Sequence, residues 1–438
     1  MMAWLDNLTA WLAGHPQWLG LAVFLIACIE CLAIAGIIVP GTVLLFAVAV
    51  LAGNGALGLW QTLALAFCGG LLGDALSYAA GRYFHQDIRR LPGLRQHPHW
   101  LAGAENYFQR YGVASLLVGR FIGPLRPMLP MVAGMFNMPA GRFAAVSLVA
   151  AAGWAVAYLL PGWATGAALR LPLPPGFWPQ TLMLAGGLGL LLIVSAHCSL
   201  RGYGRSSLIA AGLSLTLLLG VILGWPHLGS LDQGLLALLQ EQRSNSLDEL
   251  MVLVTRLGDF TTQLAAGLLL CLLLLLTRQW RPTLLVGSAL LTTALANAAL
   301  KSLFARQRPE VLLEPLDSFS FPSGHSSAAF AFFLLLGILA GRGQPARLRL
   351  SWLLLAGLPA VAIALSRVYL GVHWPSDIIA GALLAAGICG LTLGLAEWRR
   401  PLAALPARVW WLVLPACLAL LGTVATWHLS EGLLQYRY

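Results

Sequence analysis

Three polar clusters in an otherwise apolar stretch carry the residue types that phosphoryl chemistry needs. They are KSLFARQRP at 301–309, PSGH at 322–325 and SRVYLGVHWPSD at 366–377. Lys301 is the only lysine in the chain, every other cationic side chain being arginine. Lys301 and Arg308 stand two helical turns apart, which predicts that both lie on one helix face. Together with Arg367 they can surround a phosphoryl group and neutralise its equatorial oxygens. PSGHSS precedes the apolar run AAFAFFLLLGILA, so the N–H groups of Ser323, Gly324 and His325 fall at a helix N-terminus, a natural anion site. His373 and Asp377 stand one turn apart, so the carboxylate can hold the imidazole tautomer and stabilise its cation. That pairing suits His373 as a nucleophile and leaves His325 to donate a proton to the leaving group. Taken alone, Asp377 reads equally well as an N-cap. Arg306 falls off the Lys301–Arg308 face and reads as a solvated or headgroup-facing charge. His197, His227 and His428 read as packed core residues.

The elements that must position these clusters are membrane helices. Of 438 residues 59% are hydrophobic and 10% charged, and the mean hydropathy is +0.81, which excludes an ordinary soluble protein. Apolar runs long enough to cross about 30 Å of hydrocarbon fall at 57–81, 141–168, 178–198, 207–224, 260–277, 283–304, 326–341, 351–370, 377–396 and 409–427. Counting crossings brings all three clusters to one face. The net charge of +10 is organised by topology. Arg201 and Arg205, Arg278 and Arg281, Arg342, Arg347 and Arg349, and Arg399, Arg400 and Arg408 fill alternate loops. Asp232, Glu241, Asp248, Glu249, Asp259, Glu310, Glu314 and Asp317 fill the loops between them. The positive-inside rule puts the arginines in the cytoplasm and the three clusters outside. This distribution speaks against nucleic-acid binding. Residues 1–17 lack a basic start, so no cleavable signal peptide is expected. Cys28 and Cys31 form a C-x-x-C without a second pair or nearby His, and read as small buried residues rather than a zinc or redox site.

The composition shifts near RLPLPPGFWP at 170–179, and a short polar linker follows at 199–207. We read 1–170 as one module, 171–206 as a connecting helix and linker, 207–400 as a second module and 401–438 as an appended helix. The first module is rich in Pro and Gly inside apolar segments. Stretches 18–52 and 112–138 are each broken by prolines and carry Glu30, and Arg120 with Arg126, respectively. The apolar helix between them adds Asp74 and Arg82. Irregular backbone at membrane depth survives only when buried in protein or lining a cavity, and paired broken segments with ionisable residues point to a transport site. Two opposed re-entrant hairpins are therefore expected. Glu30 and Asp74 could titrate during transport, while Arg120 and Arg126 could hold an anionic headgroup. The plainer alternative is a scaffold whose buried ion pairs fix helix register.

The pattern K-x6-RP, PSGH, SR-x5-H-x3-D resembles the type-2 phosphatidic acid phosphatase superfamily over about 207–400. The resemblance implies an all-α six-helix core, a phosphohistidine intermediate on His373, and neither metal nor cofactor. It also implies phosphate contacts from Lys301, Arg308, Ser323, Gly324 and Arg367, acid–base work by His325, and orientation of His373 by Asp377. In the first module, an early Glu before a Pro-Gly break, the G-D-x3-Y-x2-G-R helix and the GRF-x2-P-x-R segment are similar to the DedA family over about 15–168. That similarity implies transport of lipid phosphates, notably the return of undecaprenyl phosphate across the bilayer. The chain departs from the family pattern where Gly123 precedes Pro124 and where Gly41-Thr42 follow Pro40 in place of an acid.

Together these readings lead to an external phosphatase of undecaprenyl pyrophosphate, or a related lipid phosphate, fused to a transporter of the product. The rivals are a glycerolipid-phosphate or lipid A phosphatase with a passive first half, and a non-catalytic transporter, which would require a missing catalytic residue. The partners expected are a membrane phospholipid or polyprenyl phosphate, with room for a homo-oligomer. A compact ammonium with three donors can meet one phosphoryl oxygen where a planar guanidinium would be too wide. Lys301→Arg is therefore expected to lose most turnover, about tenfold or more, despite keeping its charge. Near-parental rates in a phosphate-release assay would refute a special need for lysine.

Overall fold

In a computed structural model of the chain, residues 10–33, 35–88, 98–120, 126–314, 316, 318–427 and 429–437 are described. They form helices and no strand, with eight helices long and apolar enough to cross a membrane, or nine if one bent pair is a single span. Many large apolar side chains point outward along these helices, including Leu182, Ile193, Leu223, Leu291 and Leu354. Such a surface suits lipid rather than water. The chain is an all-α polytopic membrane protein. It divides into two compact units, Met1–Pro172 and Leu173–Tyr438.

In the first unit, α1 (Leu19–Cys31) and α2 (Gly41–Leu51) are joined through a single turn at Ala35–Ile38. At 13 and 11 residues they reach only about 20 and 17 Å, well short of the hydrocarbon thickness. A second broken pair comprises α5 (Val113–Gly119) and α6 (Met128–Met135), preceded by α4 (Pro98–Tyr111). Pro40 and Pro127 stand at the N-caps of α2 and α6, where a missing N–H is no loss. Two long helices, α3 (Leu59–Ile88) and α7 (Ala140–Arg170), support these pairs. Close packing of α3 on α6 depends on Gly81 and Gly134. A Cβ on Gly81 would lie 2.0 Å from the Met131 carbonyl oxygen, and one on Gly134 2.1 Å from that of Tyr78. Small residues allow this approach between membrane helices.

The second unit begins with α8 (Phe177–Leu200), whose Leu184 joins an apolar cluster with Leu218 and Leu231. The connecting helix thus belongs to this unit. The six long helices of its core are α9 (Ser206–Gly224), the bent pair α11 (Asn245–Arg256) and α12 (Phe260–Leu276), α13 (Trp280–Phe304), α14 (Gly324–Ala340), α15 (Ala346–Tyr369) and α16 (Pro375–Ala396). The appended α17 (Ala407–Thr426) sets Val409, Val413, Cys417 and Leu421 into the same core, a stripe at helical spacing. Residues 225–259, expected as an acidic loop, instead contain α11 and the short α10 (Gly229–Gln240). Both turn apolar residues inward, Leu231 and Leu236 on α10 and Leu247 and Val252 on α11; Asp232 of α10 is buried with them, whereas Glu249 of α11 is exposed. With the last helix α18 (Leu429–Gln435), they form a layer at the end of the bundle that carries the three polar clusters.

Gly134→Val should lower the thermal midpoint of the purified protein by roughly 5 °C or more, because backbone blocks any relief of the clash. Gly186→Val, where nothing lies within 4 Å of the added carbon, should leave it almost unchanged. Differential scanning fluorimetry of both variants checks this.

Candidate active site

The ends of four helices meet around one polar cluster. Lys301 lies in the last turn of α13, which stops at Phe304 with Ala305 in the left-handed region at φ 43°. The helix does not continue to Arg308, because the residue before Pro309 is steered away from α geometry. The expectation that Lys301 and Arg308 share a helix face is therefore corrected: Arg308 reaches the site from extended chain. The two nevertheless line one cavity of about 820 Å³ with Gly324, His325 and His373. Gly324 opens α14, His373 lies in the turn between α15 and α16, and Asp377 lies in the first turn of α16.

The hydrogen bonds assign the tautomer of His373. Arg308 Nη1 lies 3.2 Å from His373 Nε2 and also donates to the Val372 carbonyl at 2.5 Å. Burial first, and Arg367 second, pull Arg308 down to about 10, so it remains a cation at neutral pH. An arginine can only donate, so Nε2 carries the lone pair and the proton sits on Nδ1. Nδ1 faces Asp377 Oδ2 at 3.4 Å. Burial, followed by Arg308, Arg367 and Lys301, holds the His373 pKa well below its ordinary value. The imidazole is neutral, with Nε2 turned to the cavity: the form a nucleophile needs.

Asp377 is held more firmly from its other side. Oδ1 accepts from Arg306 Nη1 at 2.7 Å, and Oδ2 accepts the Trp374 N–H at 2.9 Å. Arg306 also donates to Asp232 Oδ2 at 2.7 Å and to Ser376 Oγ at 2.8 Å, and packs against the Trp225 and Trp374 rings. Asp232 in turn accepts from the Ser376 N–H and hydroxyl. Arg306 is thus a bridge between two buried carboxylates, which corrects its reading as a solvated charge. That reading assumed a helix running through 306, and the early stop of α13 removes it.

His325 makes a contact that no sequence spacing suggests. Its Nε2 lies 2.9 Å from Oδ1 of Asp259, the residue before α12. With Nε2–H donated to that carboxylate, Nδ1 is left for proton transfer. Arg367 is almost completely buried. Its Nη1 donates to the hydroxyls of Thr255 and Tyr436 at 2.8 and 2.9 Å, while its Nε has no protein partner. Neither Ser323 nor Arg367 is among the residues that line this cavity. The Ser323 hydroxyl caps α14 by accepting from Ser326 N–H at 3.4 Å, and the Ser323 N–H donates to the Asp377 carbonyl.

A second cluster lies inside the first unit. Glu30 pairs with Arg126 and Asp74 with Arg120, all four side chains being nearly inaccessible. Thr42 donates its hydroxyl to Glu30 at 2.9 Å, and Gly41 leaves room for it, since a Cβ there would lie 2.7 Å from Glu30 Cγ. The two residues that depart from the family pattern after Pro40 therefore pack on the acid. Both guanidiniums face the Trp154 ring, and Arg126 also faces Tyr158. Glu30 Oε2, Arg120 Nε, and Arg126 Nε and Nη1 are buried without protein partners. Arg82 stands apart, bonded to the Tyr78 hydroxyl and the Met138 carbonyl. The break at Gly123–Pro124 and much of the basic loop at 82–95 lie outside the described residues. Among the described residues, no group of three or more His, Cys, Asp or Glu side chains is arranged to hold a metal ion.

Residues 39–164 match the model of the VTT domain, and residues 281–401 match that of the PAP2 superfamily. The inner membrane protein YabI of Escherichia coli strain K12 is 37% identical over 152 residues, covering 35% of this chain and 60% of YabI. The inner membrane protein YqjA of the same strain is 32% identical over 135 residues, covering 30% of this chain and 61% of YqjA. The chain thus spans about 60% of the length of these curated relatives. Among solved structures, a transmembrane PAP2-type phosphatidylglycerolphosphate phosphatase from Bacillus subtilis is 27% identical, covering 43% of this chain and 97% of that one, with a TM-score of 0.39. The chain therefore joins a VTT domain of the DedA family to a PAP2-superfamily domain.

Arg306→Ala would leave Asp232 and Asp377 buried without their shared cation, a change that costs about 3–5 kcal/mol. A fall in thermal midpoint, together with a loss of turnover of about a hundredfold or more, is expected. Parental values for both would show that the bridge is dispensable.

Proposed function

We propose that the second unit is a membrane lipid phosphatase acting on undecaprenyl pyrophosphate or a related polyprenyl diphosphate. The first unit would return the monophosphate product to the opposite leaflet. The observation that carries the lipid reading is the shape of the cavity. From the polar cluster it descends between α12 and α13, lined by Leu264, Gly267 and Leu268 on one side and Gly287, Leu291 and Leu295 on the other. The 14 residues from Gly287 to Lys301 span roughly 21 Å of helix, enough to lie along a long apolar chain. Its leucines are the outward-facing ones, so the groove opens towards lipid.

In this reading the phosphoryl group rests among Lys301, Arg308 and Arg367, which offset the charge that builds on its oxygens. His373 Nε2 attacks phosphorus, and the bond to the bridging oxygen breaks. His325, entering this step as an imidazolium with Nε2–H on Asp259, supplies its Nδ1 proton to the departing lipid oxygen and is left neutral. Water then attacks the phosphohistidine, giving its proton to His325, and inorganic phosphate leaves. Asp377 supports the positive charge that grows on His373, and Asp259 holds His325 in the matching tautomer. Since His373 is neutral well below the ordinary imidazole range, its protonation limits the first step only on the acid side of about pH 6.5.

The transport half of the proposal rests on the partnerless buried nitrogens of Arg120 and Arg126. Ion pairs kept only for helix register have no use for unsatisfied donors, whereas a phosphate headgroup would satisfy them. Covalent linkage of the two units raises the local concentration of product for the second step.

The test is a proteoliposome assay with both leaflets sampled. His373→Ala should abolish phosphate release from the polyprenyl diphosphate, by about a thousandfold or more. Arg126→Ala should leave hydrolysis intact while monophosphate lipid accumulates on the side where it forms. Retained hydrolysis in the first variant would overturn the phosphatase reading, and unchanged leaflet distribution in the second would overturn transport.

A further inference from the structure

Arg367, which the proposed function places at the phosphoryl group, is held by a residue far outside the matched PAP2 domain. That domain ends at 401, yet Tyr436 lies against Arg367. The Tyr436 hydroxyl accepts from Arg367 Nη1 at 2.9 Å, and its ring lies 5.6 Å from the guanidinium carbon. Only 7% of Tyr436 is exposed.

The tail is anchored there from several directions. The Tyr436 carbonyl accepts from Arg243 Nη2 at 3.4 Å, and the Arg437 carbonyl accepts from Leu313 N–H at 3.1 Å. Leu429, Leu433 and Tyr436, at helical spacing on and just past α18, pack against Leu247, Met251 and Val252 of α11. Gly432 brings the two helices together, since a Cβ there would lie 2.9 Å from Val252. The appended span α17 therefore does more than add a crossing: it returns the chain to the layer that covers the site.

The consequence for Arg367 follows from its donors. Nη1 is engaged by two hydroxyls, Thr255 on α11 and Tyr436 on the tail. Nε is buried without a protein partner. A guanidinium is planar, so fixing Nη1 from two sides restricts the direction in which Nε points. We propose that Tyr436 is a positioning residue for phosphate binding, acting through Arg367, and that the 402–438 extension is thereby a working part of the phosphatase site. This rests on the phosphatase reading above.

The experiment uses the full chain in detergent and orthovanadate, a phosphate mimic, as the probe. Binding is followed by isothermal titration calorimetry, alongside phosphate release from a lipid diphosphate. Tyr436→Phe keeps the ring and removes only the hydroxyl, so the tail packing survives. It should weaken orthovanadate binding about tenfold, the loss expected for one hydrogen bond to a charged group. In an Arg367→Ala background the same change should have no further effect, because the arginine through which it acts is gone. A residue that only steadies the tail would leave orthovanadate affinity untouched. The inference is overturned if Tyr436→Phe binds orthovanadate like the parent, or if its loss adds in full to that of Arg367→Ala. A parent protein that neither binds orthovanadate nor releases phosphate overturns the phosphatase reading itself, and this inference with it.

Discussion

Arg306 holds two carboxylates, Asp232 and Asp377, each almost wholly removed from solvent. A buried carboxylate is stable only beside a cation and fixed donors, and this bridge supplies both. The rest of the site depends on it. Through Asp377 it sets the surroundings of the His373 Nδ1 proton, and through Asp232 and Ser376 it ties α10 to the start of α16. With those points fixed, Lys301, Arg308 and Arg367 can crowd on the opposite side without tearing the cluster apart. On the proposed function, this excess positive charge is what a bound phosphate would offset.

The first unit solves a related problem differently. Its buried Arg120 and Arg126 are each matched by one acid, and two aromatic rings cover their faces. Several donors and one carboxylate oxygen are nevertheless left over in a place that water does not reach. The two units thus share cationic side chains in low-polarity surroundings, but differ in what surrounds them. In one, charge stands at the mouth of an apolar groove beside two histidines. In the other it is enclosed among short broken helices.

Much of this was legible in the primary structure. Hydropathy marked the long spans, and proline and glycine marked the two broken pairs. The spacing paired His373 with Asp377, although His373 stands just before α16 rather than on it. Other features escaped for identifiable reasons. Extending α13 to Arg308 ignored the effect of Pro309 on its predecessor, and with it went the role of Arg306. Asp259 and Asp232 were visible only as external acids, since pairing across 66 and 74 positions has no local signature. The PSGH motif implies a phosphate ligand at Ser323, which the fold places at the start of α14, where its hydroxyl accepts the Ser326 N–H. The α10–α11 layer was missed because a hydropathy window rewards continuous apolar runs and averages away an amphipathic face.

The groove between α12 and α13 carries a consequence for how rates must be expressed. Its leucines face lipid, so on the proposed function a lipid substrate would arrive sideways within the bilayer rather than from bulk water. Encounter is then a two-dimensional process governed by the mole fraction of substrate among neighbouring lipids, and moles per litre is the wrong scale. Inert phospholipid or detergent added at constant substrate dilutes that fraction and slows capture, although no inhibitor has been introduced. On the same proposal phosphate would leave to water while the lipid product would remain in the plane, so the two products would obey different dilution laws.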